Sequence, residues 1–341
     1  TAVVCTVSGN SVSFGTPTIF ESINATNINA VYDPDQGKTA IFYTDNTNNV
    51  SKSVVATISG TSVSYGSIVT WLSGYSYYFD STYDTSANKI LLAYKDGSAA
   101  GKIIAGTISG TDISFGSAGS FLSGSGASPS GIAIQYHPTH NKSLVVYVNG
   151  LNSRKIDSKV VTFDGSSFTF GSQASVYGDA AADLPTAVYD SANGKIVVGY
   201  RHDTGTTLYH FIVSTISGTS VSYGTAVSTG INFQQPDAAR QIHFNANAGK
   251  FVFASGNTSE SYAVQTYVIG TVSGTSITLT TANYYSSTSY QATSTYDPDT
   301  EKSLLFYSTS GHSNVGVKVL TVGTGENITS ENFIGFAHAA Y

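Results

Sequence analysis

The chain has 341 residues, of which 40% are hydrophobic, 12% aromatic and only 11% charged, and its formal net charge at pH 7 is −6. No basic cluster is larger than Arg154-Lys155, which argues against nucleic acid as a partner. No apolar run approaches the ~18 residues that a membrane-spanning helix requires, so we expect no membrane insertion. The single cysteine, Cys5, excludes a disulfide bond within the chain.

A short hairpin pattern recurs along the chain. It is Thr-Val-Ser-Gly-Asn-Ser-Val-Ser-Phe-Gly at 6–15 and Thr-Ile-Ser-Gly-Thr-Ser-Val-Ser-Tyr-Gly at 57–66. The turn glycines of the copies lie 50 to 56 residues apart and are Gly9, Gly60, Gly110, Gly165, Gly218, Gly274 and Gly325. A period near fifty residues, made only of strands and turns, predicts an all-β fold, the β-propeller.

One repeat predicts a blade of four antiparallel strands, A to D. In the first repeat these strands are expected at 28–32, 38–43, 54–58 and 62–65. The A–B hairpin carries a tyrosine before its turn and a lysine after it in most repeats, as at Tyr83 and Lys89. Strand B is almost continuously apolar, which predicts burial on both faces between neighbouring blades.

The repeats predict a single propeller domain over residues 1–341. Their approximate bounds are 21–71, 72–121, 122–176, 177–229, 230–285 and 286–336, with 1–20 as a half-blade. Seven C–D hairpins stand against six A–B hairpins, so the N-terminal hairpin is expected to pair with the C-terminal segment and close the ring. With 336–341 laid onto strand A, seven blades are favoured; the alternative is six, with 1–20 replacing or extending the last outer strands. Because the chain opens in mid-repeat, we also expect it to be a piece of a longer protein.

One face of such a propeller is predicted to carry the binding loops. The A–B and C–D turns are stereotyped, whereas the B–C and D–A segments differ in every repeat, as ligand-binding loops on a fixed scaffold do. Aromatic rings with nearby hydroxyls suit the apolar faces of sugars, although the same rings could instead cap the core between blades. The aromatic candidates on this face are Trp71, Tyr75, Tyr77, Tyr78, Tyr284 and Tyr285.

The sequence contains little that indicates catalysis. Glycoside hydrolysis needs two converging carboxylates, and the matching strand A position provides one acid, Asp80, in six repeats. Two residues of a later repeat join Asp80 as ligand-binding candidates: Arg240, which is close to Asp237 in sequence, and His243, which is expected to face the central channel. No nucleophile elbow, phosphate-binding loop or zinc spacing is present, so we predict no catalytic residues, no cofactor and no enzyme.

Two turns contain closely spaced aspartates. Asp33-Pro-Asp35 and Asp297-Pro-Asp299 resemble fragments of calcium loops. A calcium ion takes six to eight oxygen ligands, whereas each turn offers two carboxylates, and aspartates also cap their own turns. We therefore predict no metal site.

The whole chain resembles repeat-containing phage structural proteins, particularly tail-fibre or appendage proteins. The resemblance rests on the pattern Gly-Thr-Val-Ser-Gly-Thr-Ser-Ile at 270–277, on the hairpin at 189–198, and on Thr-Ser-Glu-Asn-Phe-Ile-Gly at 329–335. It implies a virion-surface module, often on a host-facing appendage, and assigns no functional residue.

Together these observations predict a non-enzymatic propeller, extracellular or on a virion surface. Its expected partners are a host glycan or other subunits of a larger assembly. One alternative is a purely structural spacer or decoration module. The other is a carbohydrate-active enzyme that uses the opening of the central channel.

Overall fold

The structure is a computed structural model that describes residues 1–177, 182–202, 208–232, 242–257, 264–286, 289–309 and 315–323. In these residues the regular structure is β-strand, apart from a single 3-10 turn at Gly150–Asn152. None of the described segments forms a helix long and apolar enough to cross a membrane.

The first half of the chain forms a hairpin and three blades. The hairpin consists of β1 (Cys5–Ser8) and β2 (Ser11–Phe14). Blade 1 consists of β3 (Ala25–Asp33), β4 (Lys38–Asp45), β5 (Val50–Ser59), β6 (Ser62–Tyr65) and β7 (Val69–Leu72). Blade 2 consists of β8 (Phe79–Asp84), β9 (Lys89–Lys95), β10 (Gly101–Ser109), β11 (Asp112–Phe115) and β12 (Gly119–Leu122). Blade 3 consists of β13 (Ser130–His137), β14 (Lys142–Asn149), β15 (Lys155–Phe163), β16 (Phe168–Phe170) and β17 (Ala174–Tyr177).

The second half forms three further blades. Blade 4 consists of β18 (Ala182–Asp190), β19 (Lys195–His202), β20 (Leu208–Ser217), β21 (Ser220–Tyr223) and β22 (Val227–Asn232). Blade 5 consists of β23 (Ile242–Asn245), β24 (Lys250–Asn257), β25 (Val264–Ser273), β26 (Ser276–Leu279) and β27 (Asn283–Ser286). Blade 6 consists of β28 (Ser289–Asp297), β29 (Lys302–Thr309) and β30 (Val315–Leu320).

Each complete blade is a four-stranded antiparallel meander, as predicted, and its outer strand is split in two. In blade 1 the strand order is β3-β4-β5-β6, and β7 pairs with the other end of β5. Ala56 of strand C faces Tyr65 in β6, whereas Ser53 faces Val69 in β7. Strand D therefore continues past Gly66 after a break. The segment after Gly66, which the sequence analysis treated as a connection between blades, is partly β-strand.

The described residues form six blades, so the favoured prediction of seven was wrong. Six A–B hairpins build six blades, and the N-terminal hairpin is a separate two-stranded sheet that lacks an A–B hairpin of its own. Residues 336–341, which were expected to supply a seventh strand A, lie outside the described residues. Closure of the ring by both chain ends stays a prediction.

The hydrophobic core lies between adjacent blades. Between blades 1 and 2, Phe42 and Val55 pack with Leu92 and Ile104, all buried. Strand B is buried on both faces, since six consecutive residues of β4 and five of β9 are buried. The near-continuous apolar pattern of strand B is explained by this double burial, which confirms that part of the sequence interpretation.

Two glycines of the repeated hairpin pattern and the lysine that begins strand B have different structural roles. Gly60 takes a φ of +58° in the C–D turn, a conformation that glycine adopts without steric cost. Six residues later, Gly66 lies against the C–D turn of blade 2, where a Cβ would overlap the carbonyl oxygen of Thr111. The lysine that opens strand B, Lys38, donates to the Oγ1 of Thr57 at 2.8 Å.

The segment that follows the N-terminal hairpin packs on blade 1. A Cβ at Gly15 would overlap the carbonyl oxygen of Thr61, the same relationship that Gly66 has with blade 2. The hydroxyl of Tyr65 donates to the carbonyl of Thr18 at 3.0 Å. Gly15 therefore contacts blade 1 in the way that Gly66 of blade 1 contacts blade 2.

By density of contacts the chain divides into two compact units. The first contains Thr1–Cys5, Phe14–Pro185 and Ile216–Ser222. The second contains Thr6–Ser13, Thr186–Thr215, and Tyr223 with the described residues that follow it.

Candidate functional site

An aromatic loop at 73–78 connects blade 1 to blade 2 and is bonded to the B–C end of blade 1. The Thr44 hydroxyl donates to the carbonyl of Ser76 at 2.8 Å, and the Ser76 amide donates to the Ser51 hydroxyl at 3.2 Å. Ser51 in turn donates to the carbonyl of Gly74 at 3.2 Å. Because Ser76 is buried and bonded, the residues on either side of it are held in place.

The loop presents a tyrosine pair, Tyr75 and Tyr77, on either side of Ser76. Tyr77 is 61% exposed, and its ring centroid lies 3.9 Å from that of the half-buried Tyr75, at an interplanar angle of 60°. Burial and the neighbouring Tyr77 raise the pKa of Tyr75, and the neighbouring Thr26 hydroxyl offsets part of that rise. Thr26 donates to Oδ1 of Asn46 at 3.1 Å. Two phenol rings, a hydroxyl and an amide are thus brought together.

Trp71 and Tyr78, the other candidates from this segment, lie deeper. Trp71 packs edge-on against the rings of Phe42 and Tyr94, and its Nε1 donates to the carbonyl of Lys52 at 2.9 Å. Tyr78 is partly buried against the core between blades 2 and 3, with Lys95 Nζ 5.9 Å from its ring centroid. Both side chains are placed to support the fold rather than to meet a ligand from solvent.

Asp80 joins the inner strands of three consecutive blades. Its Oδ1 accepts from Nδ2 of Asn29 in blade 1 at 2.9 Å, and its Oδ2 accepts from the amide of Ile134 in blade 3 at 3.0 Å. Ser81 donates to Oδ1 of Asn29 at 2.6 Å. The carboxylate is buried, and these bonds tie strand A of blade 2 to strand A on either side.

His243 lies between two serines in the second unit. Its Nδ1 is 2.9 Å from the Ser294 hydroxyl, and its Nε2 is 2.7 Å from the Ser303 hydroxyl, to which Asn245 also donates at 3.1 Å. Burial lowers the pKa of His243 to about 3, so the imidazole is neutral at pH 7. His243 is 7% exposed and Ser303 is fully buried, so this serine–histidine contact joins strands of blades 5 and 6.

The two tyrosines of β27, Tyr284 and Tyr285, point to opposite sides of their strand, unlike the adjacent rings of Tyr75 and Tyr77. Tyr285 corresponds to Trp71 in its blade and is buried against Tyr267 and Tyr307. Tyr284 points the other way and is 55% exposed. Arg240, the remaining candidate, lies outside the described residues.

The aspartate turns use their carboxylates locally. Oδ1 of Asp33 accepts from the amides of Asp35 at 3.0 Å and Gln36 at 3.1 Å. Oδ1 of Asp297 accepts from the amide of Asp299 at 3.1 Å. Capping of the turn therefore accounts for the first aspartate of each motif.

One repeated polar feature escaped the sequence analysis. The last residue of strand B, or the one just after it, meets a residue of strand C diagonally across the sheet; we call these two residues the diagonal pair. In blade 1 the pair is Asp45 and Lys52, 2.8 Å apart, and Lys52 also meets Glu21 at 2.6 Å. The signal in the sequence was a polar residue two positions after the strand B tyrosine, as Asp45 follows Tyr43.

Comparison with known proteins places the fold in a class. The SapL1 lectin, solved in complex with α-methyl fucoside, has 14% identity and a TM-score of 0.50, with 94% of this chain and 96% of the lectin covered. The periplasmic gluconolactonase of Pseudomonas aeruginosa has 9% identity and a TM-score of 0.63 over 94% and 96% of the two chains. A putative 6-phosphogluconolactonase from Bacteroides uniformis has 12% identity and a TM-score of 0.58 over 91% and 85%. No protein-family model and no curated protein sequence matches the chain.

At these identities the likeness shows the fold alone, and that fold is the β-propeller. It also corrects the prediction that the protein is not an enzyme. Gluconolactonases share the architecture over more than nine-tenths of this chain, so propeller architecture and the lack of a familiar catalytic motif do not indicate a non-enzymatic protein.

Proposed function

We propose that the protein is a glycan-binding propeller and that the tyrosine pair, Tyr75 and Tyr77, is its sugar-binding surface. The observation that carries this proposal is the exposure of Tyr77 on a loop that the buried Ser76 fixes to blade 1. A sugar ring has an apolar face of C–H bonds, which stacks favourably on an aromatic ring. Because the loop is held by hydrogen bonds, little conformational freedom is lost when a ligand binds.

The polar groups beside the tyrosine pair can form hydrogen bonds with the hydroxyl groups of a sugar. The Thr26 hydroxyl lies beside Tyr75 and donates to the Asn46 amide oxygen at 3.1 Å. They provide donors and acceptors for sugar hydroxyls, and neither carries a charge. The nearby Asp45 and Glu21 are already paired with Lys52. The chemistry therefore favours a neutral glycan.

The fold supports the same proposal at a coarser level. A lectin in complex with a methyl fucoside is among the structures that share the architecture. A gluconolactonase also shares the architecture, and gluconolactone is a carbohydrate derivative. Some proteins that share this architecture therefore take carbohydrates or carbohydrate derivatives as ligands.

The test is a glycan array followed by titration calorimetry of the best neutral ligand. Replacing Tyr77 or Tyr75 with alanine is expected to weaken binding by about 1–3 kcal/mol, roughly the value of a stacked ring. Tyr32→Ala is the matched control, because Tyr32 is 57% exposed and lies near the end of strand A of the same blade, next to the A–B turn. Equal affinity in Tyr77→Ala and wild type would reject this surface, and an array without a hit would reject the glycan.

The site of display is a second proposal, which rests on the sequence. The low fraction of charged residues and the resemblance to phage appendage proteins favour an extracellular or virion-surface module, bound to a larger assembly. Mass spectrometry of the particles or cell surfaces that carry the chain would test this. Recovery only from the cytosol would contradict it.

A further inference from the structure

The diagonal pairs of the first three blades are chemically complementary. In blade 1, Asp45 and Lys52 form an ion pair. In blade 2, Asp96 and Lys102 do the same at 3.1 Å. In blade 3, the Nδ2 of Asn149 donates to the Asp157 carboxylate at 2.8 Å. At each of these places a donor on one strand meets an acceptor on the next, and the B–C end of the blade is held together.

Blade 4 has two histidines at this place. Tyr200 faces His210 directly across β19 and β20, and His202 is the diagonal partner of His210. The ring centroids of His202 and His210 lie 5.9 Å apart at an interplanar angle of 69°. The ring of Tyr200 stacks on His210 with centroids 5.7 Å apart. Both imidazoles are half-buried, so solvent still reaches part of each ring.

The orientation of His210 leaves one ring nitrogen directed away from the main chain. Its Nδ1 lies 3.1 Å from the carbonyl of Leu208, and a contact with a carbonyl oxygen requires this nitrogen to carry the proton. The Nε2 then holds the lone pair, the arrangement that metal-binding histidines show when a carbonyl fixes their tautomer.

We propose that His202 and His210 form a binding site for a divalent transition-metal ion such as Zn²⁺, Ni²⁺ or Cu²⁺. In its neutral form each imidazole can donate a lone pair to a metal ion, and one ion bound by both rings would hold the B–C end of blade 4 together. Water completes the coordination. The site is independent of the proposed glycan surface.

The distance between the rings fits a shared ion. With metal–nitrogen bonds of about 2.0–2.1 Å, two imidazoles on one ion have centroids about 5.2 Å apart in a tetrahedral arrangement and about 6.4 Å apart in a linear one. The observed separation of 5.9 Å lies between these limits. By contrast, the rings of His137 and His140, in the A–B turn of blade 3, are only 4.4 Å apart and pack against each other.

The experiment is a titration of the chelator-treated full chain with Zn²⁺, Ni²⁺ and Cu²⁺, followed by calorimetry. We expect one high-affinity equivalent, tightest for Cu²⁺. His202→Ala and His210→Ala should each weaken binding about tenfold or more. His140→Ala is the matched control, because it removes an exposed histidine from the competing pair, and it should bind as wild type does.

Three outcomes would overturn the proposal: no saturable binding in wild type, unchanged affinity in both blade 4 variants, or a loss in His140→Ala. Circular dichroism shows whether each variant is folded. If a variant does not fold, electron paramagnetic resonance of the wild-type Cu²⁺ complex shows how many imidazole nitrogens bind the ion. Coupling to two imidazole nitrogens that is preserved in His140→Ala supports the site, and coupling to fewer than two rejects it.

Discussion

Gly66, at the break in the outer strand of blade 1, lies directly against the main-chain carbonyl of Thr111 in the C–D turn of blade 2. The amide of Gly66 donates to the carbonyl of Val55 in its own blade at 2.9 Å. The same approach recurs where Gly171 meets Thr219 and where Gly224 meets Thr275. In these three blades the final glycine of the repeated hairpin pattern is therefore a contact with the next blade.

This contact predicts a difference between two identical substitutions. In Gly66→Ala the new methyl group collides with the carbonyl of Thr111, and because backbone cannot move as a side chain can, we expect a loss of about 1–3 kcal/mol in the free energy of unfolding. In Gly116→Ala, at the same repeat position, the nearest atom is the carbonyl oxygen of Ala105 at 3.9 Å. That variant should match wild type or gain about 0.4–1 kcal/mol. Denaturant unfolding of both proteins measures the difference, and equal losses would contradict the blade contact.

The ion pair of blade 1 predicts a dependence of stability on pH. Hydrogen bonds from Lys52 and Asn48 hold the pKa of Asp45 well below its usual range. A carboxyl group with a depressed pKa in the folded state stabilises the fold above its unfolded pKa of about 3.9, and that stabilisation is lost as pH falls through the folded pKa. Wild type should therefore lose thermal stability below about pH 4 more steeply than Asp45→Asn.

The control for this measurement is Asp112→Asn, which removes an exposed aspartate of blade 2. It should retain the acid sensitivity of wild type. The midpoint temperature of unfolding, followed from pH 7 to pH 2.5 (roughly the range over which carboxylates titrate), gives the comparison. Parallel curves for wild type and Asp45→Asn would show that Asp45 does not cause the loss of stability in acid.

Trp71 and Tyr285 occupy the same position in blades 1 and 5 but predict opposite effects when each is changed to phenylalanine. Among the residues that the structure describes, none forms a hydrogen bond with the buried hydroxyl of Tyr285, and burial raises the pKa of Tyr285 far above its usual range. Removing this hydroxyl in Tyr285→Phe should raise the free energy of unfolding by about 1 kcal/mol. Trp71→Phe removes the bond from Nε1 to Lys52 and part of a packed ring, so it should lower stability by about 2 kcal/mol. A loss of stability in Tyr285→Phe would indicate an ordered water on the hydroxyl.

The sequence predicted well wherever a local rule was sufficient. Turn glycines such as Gly60 and the apolar pattern of strand B indicated strands, turns and blades. The number of blades was mispredicted because of the N-terminal C–D hairpin. Such a hairpin can belong to a complete blade or form a separate two-stranded sheet. That distinction depends on pairing between residues far apart in the chain.

The candidate site was predictable only in part. The sequence indicated an aromatic segment, but Trp71 and Tyr77 differ in burial for reasons that no local pattern contains. Trp71 belongs to a strand whose inner face meets blade 2, while Tyr77 lies in a loop that Ser76 holds to blade 1. His202 and His210 were not recognised as neighbours, because only the register of β19 and β20 brings them together.

The amino-acid sequence by itself determined the repeat, the four strands of a blade and the turns that join them, since these depend on backbone preferences and on alternation along a few residues. The tertiary structure alone decided which repeats form complete blades, which aromatic rings reach solvent and which polar residues meet. Those outcomes depend on the packing of one blade on the next, where Gly66 meets Thr111 and where Asp80 joins Asn29 to Ile134. Such contacts join residues about fifty positions apart, a distance over which the order of residues along the chain carries no direct information about proximity.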